Sequence, residues 1–316
     1  MNDQEPDINP EDQNQSNDEN QPGEITPLIN PVGAAFIGLI GAFILYQFFG
    51  AALVALIFGF NTAEAPVDGL RLLTSAGQIL FILLPALIFA KWFYEDVTSV
   101  IRFRLADPVG IILFSLGVLI LRSMLQSFIS IQNYFFFRLA ENYEFINSIK
   151  VSFDKLNEFV EKTYGNLLTI HSVLEGVFVV IVVAVVPAVC EEVMFRGFIQ
   201  KSFELKLKPF WAIVITAIFF GLNHFNPYGM VALISLGVYF GYAAYISNSI
   251  MIPVILHFIN NFAAVMIYFI LGDDELINSV KESEPELLPS VIAFGVLLFL
   301  FSSVMVLISK HYKKKT

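Results

Sequence analysis

PAVCEEVMFRG, from Pro187 to Gly197, decides how this chain is read. It continues the apolar run from Val177 to Val186, so two adjacent carboxylates and a guanidinium follow a segment whose composition suits the bilayer interior. Ionisable groups at such a depth cost roughly 3 kcal/mol each on insertion scales. A chain that keeps Glu191, Glu192 and Arg196 so close together there is expected to use them.

Composition sets the class around that stretch. Apolar residues make up 56% of the 316 residues and charged ones only 15%, which is outside the range of soluble domains and points to a polytopic membrane protein. The net charge of −10 is concentrated in residues 1–31, which hold eight acidic side chains and no Lys or Arg. That stretch cannot bury enough apolar surface to offset its ordering entropy, and it reads as a disordered acidic tail. The remainder, 32–316, is close to neutral and carries no basic stripe, so no nucleic acid is expected as a partner. A single cysteine, Cys190, excludes an internal disulfide, and no secretory signal precedes the first apolar run.

Apolar runs recur near 33–60, 72–94, 108–134, 170–200, 209–224, 229–246, 250–271 and 288–309. Each is expected to cross a ~30 Å hydrocarbon core as a helix, and none shows the period-two alternation of a barrel strand. The expected fold is therefore an all-α bundle of about eight transmembrane helices. With both termini cytoplasmic, ten Lys and Arg side chains fall inside and six outside, the densest cluster being Lys310, Lys313, Lys314 and Lys315. This predicts a multi-pass protein of the cell (inner) membrane with lipid as its first partner. The loop 135–169 places apolar residues at helical spacing among charges, so it is either an interfacial helix capping a cavity or a solvated connector.

Strongly polar residues inside the runs are Arg122, Glu175, Glu191, Glu192, Arg196, Asn223, His224, His257, Asn260 and Asn261. Residues four apart share a helical face, which pairs Glu192 with Arg196, Phe220 with His224 and His257 with Asn261. Glu191 and Glu192 point about 100° apart, so they do different jobs. Glu192 is assigned to Arg196, and Glu191 is left for the cavity. The turn of the 170–200 and 209–224 hairpin falls between residues 207 and 208, with Glu191 and His224 each 16.5 residues away. They should stand at one depth, where a carboxylate and an imidazole can activate water. His257 and Asn261 can reach the same cavity and offer N–H donors for an oxyanion. Arg122 is expected to pair with a carboxylate of the bundle. His171 with Glu175, and His311, read as structural, and Cys190 as a small buried residue.

EExxxR, FxxxH and HxxxN, in that order on successive apolar helices, resemble the three motifs of the CPBP family of CAAX-type prenyl endopeptidases and bacteriocin-processing or self-immunity proteins. The motif core spans 187–261, within a protease domain 32–316. The resemblance implies an eight-helix intramembrane fold and hydrolysis of a membrane-associated, prenylated peptide or protein. Carried over, it makes Glu191 the general base and His224 its partner in holding the attacking water. His257 and Asn261 would form the oxyanion hole, with Glu192 and Arg196 in support. No cofactor is expected; the alternative is zinc on Glu191, His224 and His257, since the family has also been viewed as metal-dependent.

HExxH, GxGD and GxSG motifs are all missing, which sets aside the other intramembrane hydrolase chemistries. Two non-enzyme readings compete. One is an ion-coupled transporter with a Glu/His proton relay, which lacks an internal repeat here; the other is a binding or immunity protein that holds a peptide without cutting it. Helical geometry separates the two glutamates experimentally. Glu191→Gln should abolish cleavage of a quenched membrane peptide and leave the melting temperature in place, while Glu192→Gln should lower the melting temperature; equal effects on both readouts would refute the split.

Overall fold

A computed structural model of the chain describes residues 25–59, 65–271 and 287–314. Residues 1–24 of the acidic tail, the acidic loop 273–286 with Lys281, and Lys315 lie outside the described residues. Among the described residues there are ten helices and no strand. In chain order they are α1 (Pro31–Phe58), α2 (Val67–Tyr94), the short α3 (Val97–Ile101), α4 (Pro108–Asn142), α5 (Glu144–Leu168), α6 (Val173–Glu204), α7 (Pro209–Leu222), α8 (Met230–Ser247), α9 (Met251–Leu271) and α10 (Leu287–Lys313).

Seven of these are long and apolar enough to cross a membrane, and the chain is an integral membrane protein. The eighth expected span, α7, has only 14 residues. At 1.5 Å per residue it extends about 21 Å. It stops short because His224-Phe225-Asn226-Pro227 breaks the helix: Phe225 adopts a positive φ of 50°, and Asn226 Oδ1 accepts from the Gly229 amide at 2.8 Å. The α7–α8 turn is thus held at the depth of the polar residues.

The start of α1, the end of α2, α3 and the ends of α6, α8 and α10 meet on one face of the bundle. There the Leu28 amide donates to Phe93 O at 2.8 Å, Ser249 Oγ donates to Arg104 O at 2.7 Å, and Arg102 pairs with Glu204. His311 Nε2 approaches Asp107 Oδ2 at 2.5 Å, which ties the end of α10 to the cap of α4.

Residues 135–142 continue α4, and 144–168 form the amphipathic helix α5 on the opposite face, not a solvated connector. Tyr228, in the α7–α8 turn, docks it: its hydroxyl donates to Asp154 Oδ1 at 2.6 Å, and its ring meets Phe136, Phe137 and Phe153 edge-on. At the far end of α5, Arg71 Nε donates to Leu167 O at 3.0 Å and its Nη2 donates to Thr169 O. Glu175 serves α6 as a cap, accepting from the His171 amide while Ser172 Oγ accepts from the Glu175 amide. The expected structural role of His171 and Glu175 is what the helix start uses.

Two apolar cores form. One joins α1, α2, α3, α7 and the second half of α6 around Phe198; the other joins α4, α8, α9 and α10 around Phe114 and Leu121. The α7–α8 hairpin links them through a close approach at Gly237, where an added Cβ would stand 3.0 Å from Ala217 Cβ and 3.1 Å from its Cα. Small residues at such crossings let membrane helices touch backbone to backbone. Gly237→Val should therefore lower the melting temperature of the purified protein by the equivalent of about 1–3 kcal/mol, the usual range for overpacking. An unchanged melt would show that the hairpin can open at no cost.

Candidate active site

α6 carries the site on a deformed stretch. Pro187 has no N–H to offer Val183 O, and the helix widens to π geometry over Ile181–Val185 just before it. The freed Val183 carbonyl accepts instead from Asn261 Nδ2 of α9, at 3.2 Å. A second π segment, Val193–Ile199, follows the glutamates. Sequence alone dictates the first distortion through the proline; the second has no such marker.

Glu192 and Arg196 are fully buried and bonded at 2.8 Å. His257 joins them: its Nδ1 lies 2.8 Å from the same Glu192 oxygen, Oε1. A carboxylate accepts, so Nδ1 is the donor and the tautomer is fixed. The guanidinium lies over the Phe220 ring, 4.2 Å from its centroid, and Nη2 donates to Gly237 O at 3.2 Å. Phe220 belongs to one apolar core and Phe240, stacked on His257, to the other. The buried triad thus sits where the two cores meet.

Glu191 stands apart, as the rotation of about 100° requires. Its Oε2 lies 3.9 Å from His224 Nε2, the shared depth that the hairpin arithmetic gives, with the two side chains 13% and 25% exposed. His224 Nδ1 donates to Phe220 O at 2.7 Å, since a carbonyl only accepts. That carbonyl is one of the orphans at the end of α7, so the histidine caps the helix that carries it. Gln78 of α2 donates from Nε2 to Glu191 Oε1 at 3.1 Å and thereby aims Oε2 at His224.

Asn261 uses one amide N–H on Val183 O and accepts from Asn260 Nδ2 at 3.2 Å through Oδ1. Arg122 Nη1 donates to Asn260 O at 2.8 Å and to its Oδ1 at 3.3 Å. The expected carboxylate partner for Arg122 is thus replaced by a neutral amide among the described residues. Gln78, Arg122, Glu191, His224, His257, Asn260 and Asn261 line one cavity of about 760 Å³, which Glu192 and Arg196 do not reach. Leu156 and Val160 of α5 form part of its roof. Cys190 is buried beside the site and lines none of it.

Both histidines hold Nδ1–H on an oxygen and keep Nε2 for the cavity, a pattern also found among zinc ligands. Among the described residues, however, no three of His, Cys, Asp and Glu converge so as to hold an ion. As placed, the described residues do not fit a three-ligand zinc site.

Residues 173–263 match the family described as Rce1-like, type II CAAX prenyl endopeptidase. Over this stretch, under a third of the chain, the sequence is similar to that family, which supports a CPBP/CAAX-type intramembrane protease. The match takes in α6, α7, α8 and the first half of α9, and with them every residue of the three CPBP motifs. Gln78, Arg122 and the roof helix α5 lie outside it. Comparison with curated proteins finds no match, and neither does comparison with solved structures.

Gln78 is the cavity residue that sequence reasoning missed. Gln78 is an amide in an apolar run, a signal of the same kind as Asn261 but without a partner four residues away.

The buried triad makes a stability prediction. Glu192→Gln leaves Arg196 charged and uncompensated, which should destabilise the protein by about 3–5 kcal/mol. Replacing both in Glu192→Gln/Arg196→Met should recover most of the loss in a thermal melt. A double variant as unstable as the single one would deny the pair its stated role.

Proposed function

We propose that this CPBP-family protease hydrolyses a peptide bond of a membrane-associated, prenylated peptide or protein with water activated by Glu191 and His224. The observation that carries the reading is the facing pair Glu191 Oε2 and His224 Nε2, 3.9 Å apart in one cavity. With Nδ1–H committed to Phe220 O, neutral His224 presents an acceptor at Nε2. Glu191 presents a second acceptor. A water at about 2.8 Å from both donates one O–H to each and keeps a lone pair for a carbonyl carbon.

Attack places the water oxygen on that carbon and passes its proton to Glu191, which returns it to the departing amine nitrogen. Atoms and charges balance with no other reactant. Gln78 keeps the carboxylate aimed throughout. The oxyanion needs donors. Asn261 has a second N–H without a partner among the described residues, and it supplies one in any protonation state of its neighbours. His257 can donate from Nε2 only as an imidazolium, because its Nδ1–H is held by Glu192. We therefore assign the oxyanion chiefly to Asn261, with His257 contributing when protonated. Glu192 and Arg196 hold the frame.

The roof helix and the polar floor favour cleavage over ion transport, since the cavity is wide enough for a peptide and its polar groups converge at one level. The orientation we propose places both termini in the cytoplasm of a cell bearing this protein in its inner membrane, following the ten basic side chains on that side against six opposite and the cluster at the C-terminus.

Purified protein with a quenched farnesylated peptide tests the reading. Wild type should turn over, and His224→Ala should lose about two to four orders of magnitude in kcat. Turnover by His224→Ala equal to wild type would refute the mechanism. Addition of a chelator should leave the wild-type rate unchanged; loss of activity restored by zinc would place a metal in the reaction.

A further inference from the structure

Arg122 is the charge the mechanism leaves over. Each buried arginine has a carboxylate: Arg71 has Asp68, Arg102 has Glu204 and Arg196 has Glu192, whereas half-buried Arg122 pairs with none among the described residues. Arg122 lies on α4 in the middle of a membrane span, and among the described residues its partners are the neutral oxygens of Asn260. Both contacts use Nη1, which leaves Nε and Nη2 without a partner among the described residues.

A guanidinium cannot shed its proton in a protein, so it stays charged at this depth. Retaining an unmatched cation inside a span is costly unless an anion is supplied in use. Arg122 also lines the same cavity as Glu191, and these two carry the cavity's fixed charges, the histidines apart. They have opposite signs on different helices, α4 and α6. A ligand laid between them needs a carbonyl at one end and an anion at the other.

We propose that Arg122, with Asn260 holding its Nη1 edge, forms a subsite that binds a carboxylate of the peptide being cut, through the free Nε and Nη2 edge. A carboxylate accepts two parallel N–H bonds from one guanidinium edge, which fits planar recognition better than a point charge would. The carboxylate has two possible sources, the C-terminus of the peptide or an acidic side chain near the cleaved bond. The proposal rests on the peptidase reading of the cavity.

The test compares three farnesylated fluorescent peptides on the full-length protein in nanodiscs: one with a free C-terminal carboxylate, one with a C-terminal carboxamide, and one carboxamide with Asp beside the last residue. Amidation should raise KM of wild type about tenfold or more with little change in kcat, the loss expected for a charge-assisted pair. Arg122→Gln should raise KM for the acid to the level of the amide and so erase the preference, and Arg122→Lys should restore part of it. Recovery of low KM by the Asp-bearing amide identifies a side chain as the source; failure of recovery identifies the chain end.

Equal KM for all three peptides on wild type overturns the subsite, and that arm needs no variant. A preference that survives in Arg122→Gln also overturns it, as does a change confined to kcat. Anisotropy titration of the same peptides on Glu191→Gln reads binding without cleavage. If wild type cuts nothing but binding still discriminates acid from amide through Arg122, the subsite stands and the peptidase reading falls.

Discussion

The buried bond between Glu192 and Arg196 is the constraint on which the remaining structure depends. Neither group can be left alone in a dry interior, and together they still need further hydrogen bonds to offset their lost hydration. Two hydrogen bonds and a ring contact, from three helices, supply this support. His257 reaches the carboxylate from α9, Gly237 O takes the guanidinium from α8, and the Phe220 ring of α7 covers its face. Satisfying one ion pair therefore fixes α7, α8 and α9 around α6. The close crossing at Gly237 follows from the same need, since a larger residue would move the carbonyl that Arg196 uses.

With the frame fixed, the neighbouring Glu191 is turned to the cavity by helical rotation alone. The frame glutamate and the cavity glutamate are adjacent in sequence and different in surroundings. The first is fully buried, and the second is partly exposed, held by an amide and facing an imidazole. This separation leaves one carboxylate bonded inside the packed interior and one facing the cavity.

Much of this was legible in the chain. Apolar runs gave the spans, since a bilayer imposes length and satisfied backbone groups on any crossing segment. The period of the helix gave the Glu192–Arg196 pair, and equal distances from a turn gave Glu191 opposite His224. What stayed hidden depends on rotations of one helix about another. His257 reads as a cavity donor by its spacing to Asn261, yet its Nδ1 is spent on Glu192 across 65 positions. Gln78 lies 113 residues from Glu191, and nothing in either segment sets that register. The partner of Arg122 is a backbone and side-chain amide, where charge matching alone suggests an acid. The segment after residue 135 carries a helical pattern but no sign of what docks it, because the anchor is Tyr228 in a distant turn.

The shortness of α7 bears on where the water comes from. A helix of 14 residues leaves about 9 Å of a ~30 Å hydrocarbon layer unspanned. Lipids beside such a helix accommodate by thinning, which draws the headgroup region towards the α7–α8 turn. His224 follows the end of that helix, so the cavity lies on the side of this turn. Membrane thickness thereby sets how near the headgroup region comes to this cavity.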